Sequence, residues 1–147
     1  MSVDIVARDR FLSGFLCSQS VFSTFAPQLG LSEETAYKIA APFGAGMGGT
    51  SETCGAVTGA LMVIGLKYGD YLLDDKAGKE LVYQKTRQFM AEFRKRHDTL
   101  ICRELQGHNL ADPDQLQAAR QAGVFEKVCP LLVQDAAEIL SVILSEG

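Results

Sequence analysis

The sequence has no surplus of positive charge, no long apolar run, no closely paired cysteines and little proline, and each absence closes off a class of protein. Lys and Arg number 14 against 18 Asp and Glu, a formal charge of -4. The basic excess that grips phosphate backbones is missing, and no nucleic-acid partner is expected. The longest nearly charge-free apolar stretch, Cys54 to Leu66, is thirteen residues long, short of the roughly 20 that a bilayer-spanning helix needs. No membrane insertion is expected. The first ten residues mix acids and bases, Asp4, Arg8, Asp9 and Arg10, where an export signal would need an unbroken apolar segment. That points to a cytoplasmic protein. Only 4 prolines are present, with no low-complexity segment and no internal repeat, so neither an array nor a disordered linker is indicated. The 147 residues, 47% of them apolar, read as one domain over 1–147 that can close its core without disulfides or zinc.

Four cysteines are present, Cys17, Cys54, Cys102 and Cys129, at intervals of 37, 48 and 27 residues. These spacings exclude the CxxC pairs of zinc ribbons and thioredoxin-like motifs. Any site they share has to be assembled by folding. In a reducing compartment such cysteines are free thiols, metal ligands or transient redox partners before they are permanent staples.

Apolar residues at Val3, Ile5, Val6, Phe11, Leu12, Phe15, Leu16, Val21, Phe22 and Phe25 recur at three- and four-residue steps. They predict one long amphipathic helix or two short ones, ended by Pro27 and Gly30. Ser32 is placed to cap a short helix through Ala40, with Glu33 and Glu34 in its first turn. The stretch Gly44-Ala45-Gly46-Met47-Gly48-Gly49 is too rich in glycine for a helix or strand interior. It is a loop, and it fits neither GxGxxG after a strand nor GxxxxGK[ST] before a helix, so it does not read as a phosphate cradle.

Thr50 or Ser51 can cap the next helix, which runs to about Tyr68, is nearly all apolar and forms the buried centre, with Cys54 just inside its start. Gly55, Ala56, Gly59 and Ala60 put small residues four apart on one side of it, where another backbone can come close. Asp74-Asp75 precedes a charged helix from about Lys76 to Lys95 whose inner stripe is Leu81, Val82, Phe89 and Phe93. The basic run Arg94-Lys95-Arg96-His97 complements the dipole at its end. Asp98 or Thr99 can open a short turn that carries Cys102 and closes near Gly107, and a polar stretch with Asp112-Pro113-Asp114 follows. Cys129-Pro130 announces the last helix, with Cys129 at its cap. No alternating strand pattern competes, and the expectation is an all-α bundle of five or six helices around a buried central one.

Cys54, Cys102 and Cys129 thus fall at helix starts, where unpaired N–H groups and the helix dipole favour a thiolate and lower its pKa. Thiolates bind metals and do redox chemistry. An all-thiolate iron–sulfur cluster carries excess negative charge that converging helix starts offset. Gly55, with Gly48 and Gly49 of the loop, would give such a bulky group room to reach backbone N–H groups. Zinc takes the same four ligands and ranks behind the cluster. A dithiol mechanism would use Cys54 as the attacking thiolate and Cys102 to resolve the product. Nothing in the sequence brings His97 or His108 to the cysteines.

The order of features, an isolated Cys17, then Cys54-Gly55-Ala56-Val57-Thr58-Gly59, then isolated Cys102 and Cys129, resembles the redox-active family named after its C_GCAxxG_C_C pattern. Cys17-Ser18-Gln19-Ser20-Val21, Gly46-Met47-Gly48-Gly49, Cys102-Arg103-Glu104-Leu105 and the tail from Cys129-Pro130 extend the resemblance over nearly the whole chain. It implies a bacterial or archaeal protein with redox or metal chemistry at Cys17, Cys54, Cys102 and Cys129, and a functional link to a membrane transporter. It also brings Cys17 into the ligand set, since the helical pattern puts no terminus beside that residue. Related domains fused to cytochromes that carry an iron–sulfur centre favour a cluster. An electron or thiol partner is implied but not specified. The competing class is a non-catalytic helical module, a homodimer joined through Gly55 and Gly59 with its cysteines filling core space.

Overall fold

A computed structural model describes residues 2–147. Helix α1 spans Val3–Leu12 and α2 spans Cys17–Phe25. The two are separated because the chain reverses at Gly14, whose φ of 120° only glycine adopts readily. Of the two sequence alternatives, two short helices is the one formed. Helix α2 carries three fully buried serines, Ser18, Ser20 and Ser23. Their hydroxyls are satisfied internally, Ser18 donating to the Ala40 carbonyl and Ser20 to that of Leu16, both at 2.8 Å. A 3-10 turn, Ala26–Leu29, follows and ends at Gly30.

Helix α3, Glu33–Ala40, begins as expected at Ser32, whose hydroxyl accepts the Thr35 N–H. A second 3-10 turn, Ala41–Phe43, leads into the glycine loop. Helix α4, Gly55–Tyr68, is the buried centre, with Ala56, Val57, Ala60, Val63 and Ile64 almost wholly enclosed. Helix α5, Lys76–His97, is capped by Asp75, which accepts the Gly78 N–H at 3.0 Å. It turns Phe89 and Phe93 inward, while Leu81, expected on the same stripe, is 37% exposed. At its end Arg96 pairs with Asp135 and Glu138, and His97 Nε2 lies 2.8 Å from Asp135.

Four more helices complete the chain: α6 (Cys102–Gln106), α7 (Pro113–Ala122), α8 (Val124–Lys127) and α9 (Cys129–Ser145). The all-α expectation holds, and among the described residues there is no strand, only an isolated bridge. Among the described residues the expected five or six helices become nine, or eight when Val124–Ser145 is counted as one helix interrupted at Val128. The additions come from the split at Gly14 and from the polar segment after Gly107. There Asp112 accepts the Asp114 N–H and Pro113 opens α7, a helix with one buried residue, Ala119.

The Val124–Ser145 segment is, by length and composition, long and apolar enough to cross a membrane, so the expectation of no such segment needs correction. In this fold it packs against α1, α2, α4 and α5, burying Leu132, Val133, Ala136, Ala137, Leu140 and Ile143. Interior Gln134, Asp135 and Glu138 break its apolar run into several pieces in the sequence.

Candidate functional site

The segments before α4 and α6 hold each other in register. Thr53 and Ile101 form an antiparallel bridge; the Cys54 N–H donates to the Leu100 carbonyl at 2.8 Å and the Cys102 N–H to that of Glu52 at 2.7 Å. Side chains alternate along such a pair, so Cys54 and Cys102 project to one face as diagonal neighbours. Helix α4 then starts at Gly55 with Cys54 as its cap. Neither Thr50 nor Ser51 caps it, because Ser51 adopts a φ of 59° and its hydroxyl accepts the Leu110 N–H at 2.7 Å.

Cys17 arrives from α2. The N-terminal half of α2 lies against the glycine face of α4 so closely that a Cβ on Gly55 would overlap the Cys17 sulfur, and one on Gly59 would stand 2.7 Å from the Ser18 carbonyl oxygen. The backbone that uses the small-residue face of α4 is therefore the chain's own. Cys17 is the first residue of α2, with Leu16 as its cap, a helix start that the hydrophobic period alone does not reveal. Cys129 is the first residue of α9, one place inside the cap position expected for it, and Pro130 follows. All four cysteines are free and line one cavity of about 370 Å³. Cys54 and Cys102 are buried at its wall, Cys17 and Cys129 half-buried.

The family described as "Putative redox-active protein (C_GCAxxG_C_C)" matches residues 15–143, a span that holds all four cysteines. The chain belongs to this family. No curated protein and no solved structure matches it.

Among the other residues expected at the C_GCAxxG_C_C site, Gly55 lines the cavity, whereas Gly48 and Gly49 do not. Gly48 has only the Pro42 carbonyl nearby, and Gly49 faces open space. The loop residues that reach the cavity are Ala45 and Gly46. Neither His97 nor His108 lines it. Residues not anticipated are the apolar Phe11, Leu12, Phe15 and Leu16, which join the cavity to the α1–α2 turn, and Leu110, Phe125 and Leu132 elsewhere on its wall. Two polar lining residues were also missed: Gln106, one helical turn beyond Cys102, and Glu126, three positions before Cys129 and the one charged lining residue among those described. Their i+4 and i−3 spacing from a cysteine was the available signal.

The expectation of low thiol pKa values does not hold at Cys54 and Cys129. Burial pushes Cys54 well above the usual thiol range and Cys17 upward, and raises Cys129 to about 12, with Cys17, Cys102 and Glu126 adding like-charge repulsion. The N–H groups of Ala56 and Val57 at Cys54, and of Ala45 and Ser18 at Cys17, act in the opposite direction and are outweighed. Protonated thiols are poor nucleophiles.

Among the described residues no three Cys, His or carboxylate side chains stand close enough together to hold a single metal ion. A lone tetrahedral zinc, with sulfurs about 2.3 Å from the metal, would require the walls to close in. Four cysteines around one cavity are the donor set of a polyatomic group held through thiolates at its periphery.

Proposed function

We propose that the protein is an electron-transfer or redox protein whose Cys17, Cys54, Cys102 and Cys129 hold an iron–sulfur cluster. The observation that carries this reading is that four cysteines far apart in sequence line a single cavity, each at the start of a helix. When bound, such a cluster supplies a one-electron couple.

The chain's contribution is a set of positioned sulfurs and N–H groups. Binding requires the thiols to release their protons, and the positive charge of iron offsets the cost that keeps them neutral in the metal-free protein. The N–H groups of Ala45, Ser18, Ala56 and Val57, already directed at Cys17 and Cys54, then meet thiolates, to which hydrogen bonds are stronger than to thiols. Phe11, Phe15, Leu16, Phe125 and Leu132 keep the surroundings apolar, which sets solvent access and with it the potential. An electron or thiol carrier outside the chain completes the cycle. A link to a membrane transporter belongs to the same reading, on the strength of the family resemblance.

Anaerobic purification with iron and acid-labile sulfide analysis tests it. Brown protein with iron and sulfide in fixed ratio to chain supports the cluster; colourless protein with one zinc per chain replaces it with a structural metal site.

A further inference from the structure

Gln106 is 6% exposed, lines the cysteine cavity and lies one turn beyond Cys102 on α6. Its amide is held at both ends by one residue: Oε1 accepts the His108 N–H at 3.1 Å and Nε2 donates to the His108 carbonyl at 2.6 Å. A main-chain N–H needs an acceptor and a carbonyl needs a donor, so the two contacts fix which way the amide faces. The second N–H on Nε2 is left free to point into the cavity, and Nε2 lies 3.6 Å from Cys102 Sγ. Among the described residues this is the one side-chain hydrogen bond to a cysteine sulfur.

We propose that Gln106 is a positioning residue of the redox site, whose side-chain N–H holds the Cys102 sulfur against the wall and draws electron density from it, setting the potential of the centre. The inference rests on the cluster reading above. A hydrogen bond to a ligating sulfur stabilises the more negative, reduced state, so it moves the couple to more positive potential. The same bond makes Cys102 unlike the other three sulfurs, whose neighbouring donors come from the main chain.

Two measurements decide it. In reduced, metal-free protein labelled with ¹⁵N, Cys102→Ala should move one Gln106 side-chain proton resonance, while the other, bonded to the His108 carbonyl, stays. If neither moves, the donor assignment is overturned, whether or not iron binds. In protein reconstituted anaerobically with ferrous iron and sulfide, Gln106→Met should shift the midpoint potential to more negative values at unchanged iron content. Gln106→Glu, which keeps an acceptor for the His108 N–H, should do the same and covers the case in which Gln106→Met fails to fold. Equal potentials at equal iron content overturn the tuning role and leave the cluster reading standing. Wild-type protein that takes up no iron sinks the cluster reading instead, and the amide resonances still report on Gln106.

Discussion

The Cys17 sulfur occupies the space that a Cβ on Gly55 would need. One contact thus joins the first cysteine to the segment that carries the second, and it places the start of α2 over the start of α4. The Phe43 carbonyl oxygen and the Ser18 nitrogen stand 3.0 and 3.1 Å from that same Cβ position.

Replacing Gly55 with Ala should therefore destabilise the protein by about 1–3 kcal/mol, the usual cost of overpacking, and should displace Cys17 and reduce iron uptake. Gly65→Ala is the control. It lies on the same helix, exposed, with nothing within 4 Å of an added Cβ, and should stabilise by about 1 kcal/mol through helix propensity. Urea unfolding of both variants checks the pair.

The glycine loop stores strain. Ala45, Met47 and Ser51 adopt φ values of 51°, 70° and 59°, interleaved with Gly46, Gly48 and Gly49 in the same left-handed region. A non-glycine residue there costs about 1–2 kcal/mol. Met47 is 39% exposed and does not line the cavity, so Met47→Gly should raise stability by about 1 kcal/mol, net of glycine's greater unfolded entropy. A shift of the thermal midpoint upward, with iron uptake intact, is the expected result.

Stability of the metal-free protein should fall in alkali. The folded state raises the pKa of Cys54 and Cys17 and that of Cys129 to about 12, whereas unfolded thiols ionise near about 8.5. The folded protein then holds protons that the unfolded chain releases, a contribution complete below about pH 8 and lost as pH rises toward the folded values. Urea midpoints in reductant at about pH 7.5 and pH 10 check it. Cys129→Ala should show a smaller drop between the two than the wild type.

Much of this was legible because local rules and tertiary packing agree. Ser32 and Asp75 cap the helices that their positions announce, Phe89 and Phe93 face inward, and the small-residue face of α4 receives another backbone. Helix α7 escaped notice because its single buried residue, Ala119, leaves no apolar stripe to read. The break at Gly14 depends on a backbone angle rather than on a hydrophobic period. The sign of the thiol shifts was misread for a different reason. A helix start is a local feature, while the burial that outweighs it is created only when α2, α4 and α9 meet. Gln106 was likewise invisible until the turn at His108 fixed its amide.

In the proposed centre four cysteines from separate helices make one site. Its most direct test is iron bound per chain, after identical anaerobic reconstitution, in Cys17→Ala, Cys54→Ala, Cys102→Ala and Cys129→Ala alongside the wild type. A shared cluster predicts stoichiometric, coloured wild-type protein and a large loss of iron in every one of the four variants. Full iron content in two or more variants that remain folded, or a wild type that binds none, would contradict it.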